Sequence, residues 1–149
     1  MLYVKNGRIH SKCCSFALPE DWFFFYYSGV EMRDGFEFSK ELDSESIRLN
    51  VMIHDVIPRA TLEAIATESE YVSTSEIFSV TRGGLIGKAM FYRSSSERRE
   101  YYEEHLELSS GQILEIFLAC DVTAGTRGKI RELLDDPTVK DFLSSIQAK

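Results

Sequence analysis

The sequence predicts an α+β domain: an antiparallel β-sheet of about seven strands with helices packed on its faces, an α/β/α sandwich. Three observations predict it. Residues 76–121 read as a four-strand meander, residues 47–54 alternate cleanly as a strand, and the C-terminal segment carries an apolar helical stripe behind an Asp-Pro start. The 149 residues suffice for one domain with a sizeable core, and we read 1–149 as that single domain.

At the N-terminus, residues 2–5 and 8–18 flank Asn6-Gly7, a type I′ turn signal, so the chain opens on a small hairpin. Pro19-Glu20-Asp21 makes a turn before the aromatic run Trp22–Tyr27. Aromatic residues favour strands, and a run without alternation predicts a strand contacted on both faces. The rings build the core in that reading; the competing reading makes them a ligand or partner surface. Ser28–Asp34 reads as a loop with Asp34-Gly35 as a second hairpin signal, and Gly35–Leu42 alternates Phe36 and Phe38 with Glu37 and Ser39. After a polar turn at 43–45, Ile47, Leu49, Val51 and Ile53 share one face of a strand, opposite Arg48, Asn50, Met52 and His54.

The period then changes from two to three or four. Pro58 suits a first helical turn, and Leu62, Ile65, Ala66 and Ser69 follow at helical spacing, which predicts a helix over 58–70. Val72–Ser75 is a polar linker to the meander. There, Gly83-Gly84 supplies the positive φ angles of a tight hairpin. Leu85–Tyr92 and Ile113–Cys120 are apolar on both faces and predict central strands. Residues 101–108 are one-sided: Tyr102, Leu106 and Leu108 face the core, and Tyr101, Glu103, His105 and Glu107 face water. Thr123–Gly128 turns the chain into a short helix bearing Ile130, Leu133 and Leu134. Asp136 then caps a last helix with Pro137 in its first turn, and Val139, Phe142, Leu143 and Ile146 form the stripe that packs on the sheet.

Charge and composition bound the function. The net charge of −7 argues against nucleic acid as the main partner and against adhesion to an anionic membrane; a basic protein partner is compatible with it. The three cysteines, 13, 14 and 120, make no disulfide framework and read as reduced thiols. Residues 1–10 hold no long apolar core, so no signal peptide is predicted, and no apolar run of about 18 residues predicts a transmembrane helix. These features place the chain in the cytoplasm, provided that Met1 is its natural start.

Candidate chemistry is sparse. His10-x-x-Cys13-Cys14 gathers nitrogen and sulfur ligands, with Cys120 or His54 as distant completions. Adjacent strand cysteines diverge, however, and edge or buried thiols are the simpler reading. No histidine lies in a nucleophile motif, and Gly83-Gly84-x-x-Gly87 joins two strands without the Lys-Ser/Thr ending of a phosphate loop. The carboxylate pairs Glu103-Glu104, Asp135-Asp136 and Glu68 with Glu70 read as solvated faces. No catalytic, cofactor-binding or metal-binding residue is assigned, and the chain reads as non-enzymatic. Residues 94–102 are the most suggestive surface: serines for a flexible loop, then arginines and tyrosines of the types favoured in protein interfaces. Tyr92, Arg98, Arg99 and Tyr101 are the candidate partner-binding residues.

Phe16-x-Leu18-Pro19-x-x-Trp22, Gly84-Leu85-Ile86-Gly87-Lys88 and Asp136-Pro137-x-Val139-x-x-Phe142-Leu143-x-Ser145-Ile146 occur in that order. The pattern resembles small bacterial proteins of the PsbP-like fold, shared with Mog-type Ran-binding proteins and DcrB-like lipoproteins. The resemblance implies an antiparallel sheet between helices and a mostly non-enzymatic repertoire, including GTPase binding and toxin-neutralising immunity proteins. Fold does not set function, and the matching residues are structural, so no functional residue is carried across. The sequence therefore predicts a cytoplasmic protein-binding domain of immunity or adaptor type with a protein partner, basic by charge complementarity. A small-ligand or metal-binding domain is the alternative.

Overall fold

The structure, a computed structural model, describes residues 3–17, 23–29, 32–41, 47–54, 61–122 and 125–149. Their strands form two antiparallel sheets. Tyr3–Lys5 (β1), Arg8–His10 (β2) and Cys14–Ala17 (β3) join a two-residue C-terminal strand, Gln147–Ala148, in the smaller one. Phe23–Gly29 (β4), Met32–Glu41 (β5), Ile47–His54 (β6), Tyr71–Ser73 (β7), Phe78–Arg82 (β8), Leu85–Ser94 (β9), Arg99–Glu107 (β10) and Ile113–Asp121 (β11) form the larger. We number the C-terminal strand β12. The main sheet runs β4-β5-β6-β11-β10-β9, and β7 and β8 both pair with β9 at its far edge.

The turns explain much of this order. Asn6 and Gly7 both have positive φ, as a type I′ turn demands, and β1 and β2 pair across them. Residues 8–18 are not one strand. Ser11 breaks them: its hydroxyl accepts the amides of Cys13 and Cys14, and its own amide donates to the Cys14 carbonyl. The chain reverses there, and β3 returns antiparallel to β2. Asp34-Gly35 is not a turn either. It lies inside β5, with Gly35 opposite Tyr27, and of the loop predicted over 28–34 all the described residues are strand.

The first helix, α1, spans Leu62–Thr67, shorter than the 58–70 predicted. Thr61 caps it by accepting the Ala64 amide, and Glu68 ends it in an extended conformation. Pro58 lies outside the described residues, as do Trp22 and Pro19. The polar linker 72–75 begins as strand: Tyr71, Val72 and Ser73 pair with Ser94, Arg93 and Tyr92. After β11, Lys129–Glu132 (α2) runs through a 3-10 turn at Leu133–Asp135 into Pro137–Ser145 (α3). Asp136 caps α3 as the sequence predicts, accepting the amides of Thr138 and Val139.

Helices cover both faces of the main sheet. Even positions of β10 and β11, with Leu49, Val51 and Ile53 of β6, pack beneath Ile130, Leu133, Val139, Phe142 and Leu143. Odd positions of β10, with Met90 and Tyr92 of β9, pack against Leu62 and Ile65 of α1. Tyr101 and Glu103 are therefore buried, not in water as their one-sided pattern predicts. The α1 face is apolar at Met90, Tyr92 and Phe117, so Tyr101 has a surface to pack on. Among the described residues no helix is long and apolar enough to cross a membrane.

Gly83 ties the two sheets together. It has a φ of 52°, a Cβ there would collide with the Ile146 carbonyl oxygen, and its own carbonyl accepts the Ala148 amide. Gly7 has positive φ but open space around it. Both Gly→Ala variants should lose stability in urea unfolding, and Gly83→Ala should lose more, well above about 1 kcal/mol. Equal losses would show that the close approach to α3 carries no weight.

Candidate functional site

Two features stand out along β10. The first is an open depression of about 440 Å³ where the β9–β10 hairpin meets the turn after α1, lined by Glu70, Tyr71, Ser94–Ser96, Arg98, Arg99 and Tyr101. The hairpin is closely hydrogen-bonded. The Ser94 hydroxyl accepts the amides of Arg98 and Arg99, Ser95 donates to the Ser69 carbonyl at 2.6 Å, and Arg127 reaches Glu97 at 2.7 Å. The serines thus serve as turn acceptors and anchors, where the sequence suggested a flexible loop. Glu97 carries a φ of 59° to close the turn.

The structure brings three of the four sequence-predicted contact residues to this depression. Arg99 is exposed and pairs with Asp121 at 3.1 Å. Arg98 is exposed, and among the described residues its guanidinium makes no ion pair. Tyr101 lines the floor with its ring largely buried. Tyr92 lies beneath: it is 3% exposed, its ring stacks on Tyr101 at 4.8 Å, and Tyr71 packs edge-on to both.

The second feature begins at the Tyr92 hydroxyl, which donates to Glu103 Oε1 at 2.5 Å. The other Glu103 oxygen lies 2.8 Å from His105 Nε2, and Glu115 Oε1 lies 3.9 Å from that same nitrogen. Glu103 and His105 are two apart on β10, hence on one face, and Glu115 stands directly opposite His105 on β11. Sequence reading missed this group because it placed Glu103 and His105 in water. The signal was available: the turn at Ser109–Gly111 centres the hairpin, and counting outward from it pairs 105 with 115.

Glu103 and Glu104 are not a solvated pair. They point to opposite faces and both are buried, Glu104 completely. On the α2–α3 face Arg82 reaches both oxygens of Glu104, with its Nη2 2.9 Å from Oε1, and the Tyr102 hydroxyl donates to that oxygen. Burial alone would lower the Arg82 pKa, but the Glu104 carboxylate outweighs it and raises it.

The His10-Cys13-Cys14 set does not converge. The His10 ring stacks on Tyr3, and Cys14 Sγ faces the Ser11 hydroxyl at 3.3 Å. Burial raises the Cys14 thiol pKa, whereas Ser109 and Ser110 hydrogen bonds lower that of Cys13. Among the described residues, none of the three cysteines is in a disulfide. His54 ends β6 opposite Ile113. Among the described residues, Glu103, His105 and Glu115 are the group of three donors close enough to share a cation.

No family model matches the chain, and no curated protein matches its sequence. The structure, however, is similar to the crystal structure of LpqN, a Mycobacterium tuberculosis protein involved in cell envelope biogenesis. The match covers 91% of this chain and 83% of LpqN, with a TM-score of 0.54 at 12% identity. The chain shares the fold of LpqN. At that identity the likeness to LpqN speaks for the fold alone.

The tyrosines yield a test of this arrangement. Burial first, then the charge of the adjacent Glu103 or Glu104, raises the pKa of Tyr92 and Tyr102 far above the usual phenol range. The unfolded chain ionises them near pH 10. Above that pH the native state holds protons that the unfolded state has lost, so stability falls as pH rises, by about 1.4 kcal/mol per pH unit for each tyrosine. Urea unfolding from about pH 9 to 11 should show this loss, and Tyr92→Phe should flatten the slope. An unchanged slope would contradict the burial of a neutral Tyr92 against Glu103.

Proposed function

We propose that this chain is a non-catalytic protein-binding domain, an adaptor or immunity-type protein of the PsbP-like, Mog-type superfamily, that works in the cytoplasm. The observation that carries the reading is the depression beside the β9–β10 hairpin. Exposed arginines, serine hydroxyls and an aromatic floor converge there on a hydrogen-bonded turn. Arginine and tyrosine are the residue types that anchor protein interfaces, and a preorganised turn loses little conformational entropy on binding. The motif order along the chain supports the superfamily placement, and the fold shared with LpqN supports the α+β architecture alone.

Two scales of charge act on the partner. The net charge of −7 favours encounter with a protein that is basic overall. At short range Arg98 and Arg99 receive carboxylates or backbone carbonyls from the docked surface. The alternative, a small-ligand or metal-binding domain, is favoured by a different observation, the Glu103–His105–Glu115 group.

Affinity capture from the source organism tests the proposal, comparing the unmodified chain with an Arg98→Glu/Arg99→Glu variant at low and high salt. A stoichiometric partner should be retained by the unmodified chain, be released by salt, and be reduced at least about tenfold in the charge-reversed variant. A partner bound equally by both proteins would remove the depression as the contact surface.

A further inference from the structure

We propose that Glu103, His105 and Glu115 form a binding site for one divalent transition-metal ion of the zinc class, independently of the protein-contact surface. The donor atoms all lie within 4.8 Å of one another, with His105 Nε2 central, 2.8 Å from one carboxylate and 3.9 Å from the other. Ligands about 2.0 Å from a tetrahedral ion stand roughly 3.3 Å apart. The observed spacings bracket that value, so rotation of the carboxylates admits the ion with no movement of the strands.

The surroundings are those of a built site, not of a surface patch of acids. All three side chains are largely buried, His105 at 12%, Glu103 at 7% and Glu115 at 13% exposure. They project from adjacent central strands with a set register, which holds the ligands more rigidly than loops do. The Tyr92 hydroxyl occupies Glu103 Oε1 and turns Oε2 toward the imidazole, the outer-sphere orientation that metal-binding carboxylates receive. Lys88 stands opposite His105 on β9, but its ammonium turns outward to Glu63 at 3.5 Å. A largely buried position flanked by two carboxylates favours a cation.

The donor chemistry selects the class of ion. An imidazole nitrogen disfavours magnesium and calcium, and two carboxylates disfavour copper(I). Three protein ligands leave one position for water or for a group from a bound molecule. Cys13 and Cys14 belong to the N-terminal segment and Cys120 faces the other side of β11, so no cysteine takes part.

The test titrates zinc alone into the chelator-treated full chain, followed by calorimetry and native mass spectrometry, with cobalt(II) as a spectroscopic probe. One zinc per chain is expected, weakened at least about tenfold in His105→Ala and in Glu115→Gln and unchanged in Cys13→Ser/Cys14→Ser. Circular dichroism checks that each variant folds. Cobalt in the unmodified chain should show ligand-field bands without a thiolate charge-transfer band, which settles the ligand class even where a variant does not fold. The proposal is overturned by no zinc uptake, by uptake that survives both ligand variants, by loss in the cysteine variant, or by a thiolate band.

Discussion

Three buried carboxylates on one central strand are the constraint on which the rest of the structure depends. Glu100, Glu103 and Glu104 of β10 are each less than a tenth exposed. A carboxylate taken out of water without partners costs several kcal/mol, so each must be met by donors with good geometry. Each is met by a different part of the fold. Glu100 accepts the Gly128 and Ile130 amides and so holds the start of α2 to the sheet. Glu104 takes Arg82 and with it β8, while Glu103 takes Tyr92 and His105 on the α1 side. Apolar packing supplies the driving force, but these pairs decide which segment covers which part of the strand.

The same constraint links the core to the surface. Tyr92 stands between the two features of β10: its ring packs with the tyrosines beneath the depression, and its hydroxyl orients Glu103. The tyrosine layer positions Tyr101 from below, and the serine-rich turn positions Arg98 and Arg99 from above. Tyr92 thus touches both the carboxylate–imidazole group and the ring layer beneath the depression. Residues that read as a loop and a half-exposed strand in the sequence form one connected region in space.

How much of this was legible depends on how local the signal was. Asn6-Gly7 and Gly83-Gly84 act through their own backbone and Asp136 through its carboxylate on the amides of Thr138 and Val139, and each does in the structure what its residue type requires. The meander and its pairing followed from alternation. Three elements had no local signature. Ser11 makes a turn with its hydroxyl in a run that alternates like a strand, and Tyr71–Ser73 and Gln147–Ala148 become strands only because β9 and β3 offer open edges. The candidate site was the least legible part. Alternation assigns charged residues to water, and nothing near Glu103 or Glu104 in sequence announces Arg82, 22 residues before Glu104, as the partner that allows burial.

The central claim is that the β10 carboxylates are held by pairwise partners and not tolerated singly. A double-mutant cycle on Arg82 and Glu104, using Arg82→Met, Glu104→Gln and the double variant in urea unfolding, tests it most directly. The account predicts a coupling energy of about 2–3 kcal/mol, with Arg82→Met the costlier single change because it strands a buried carboxylate. Additive losses in the double variant would contradict it.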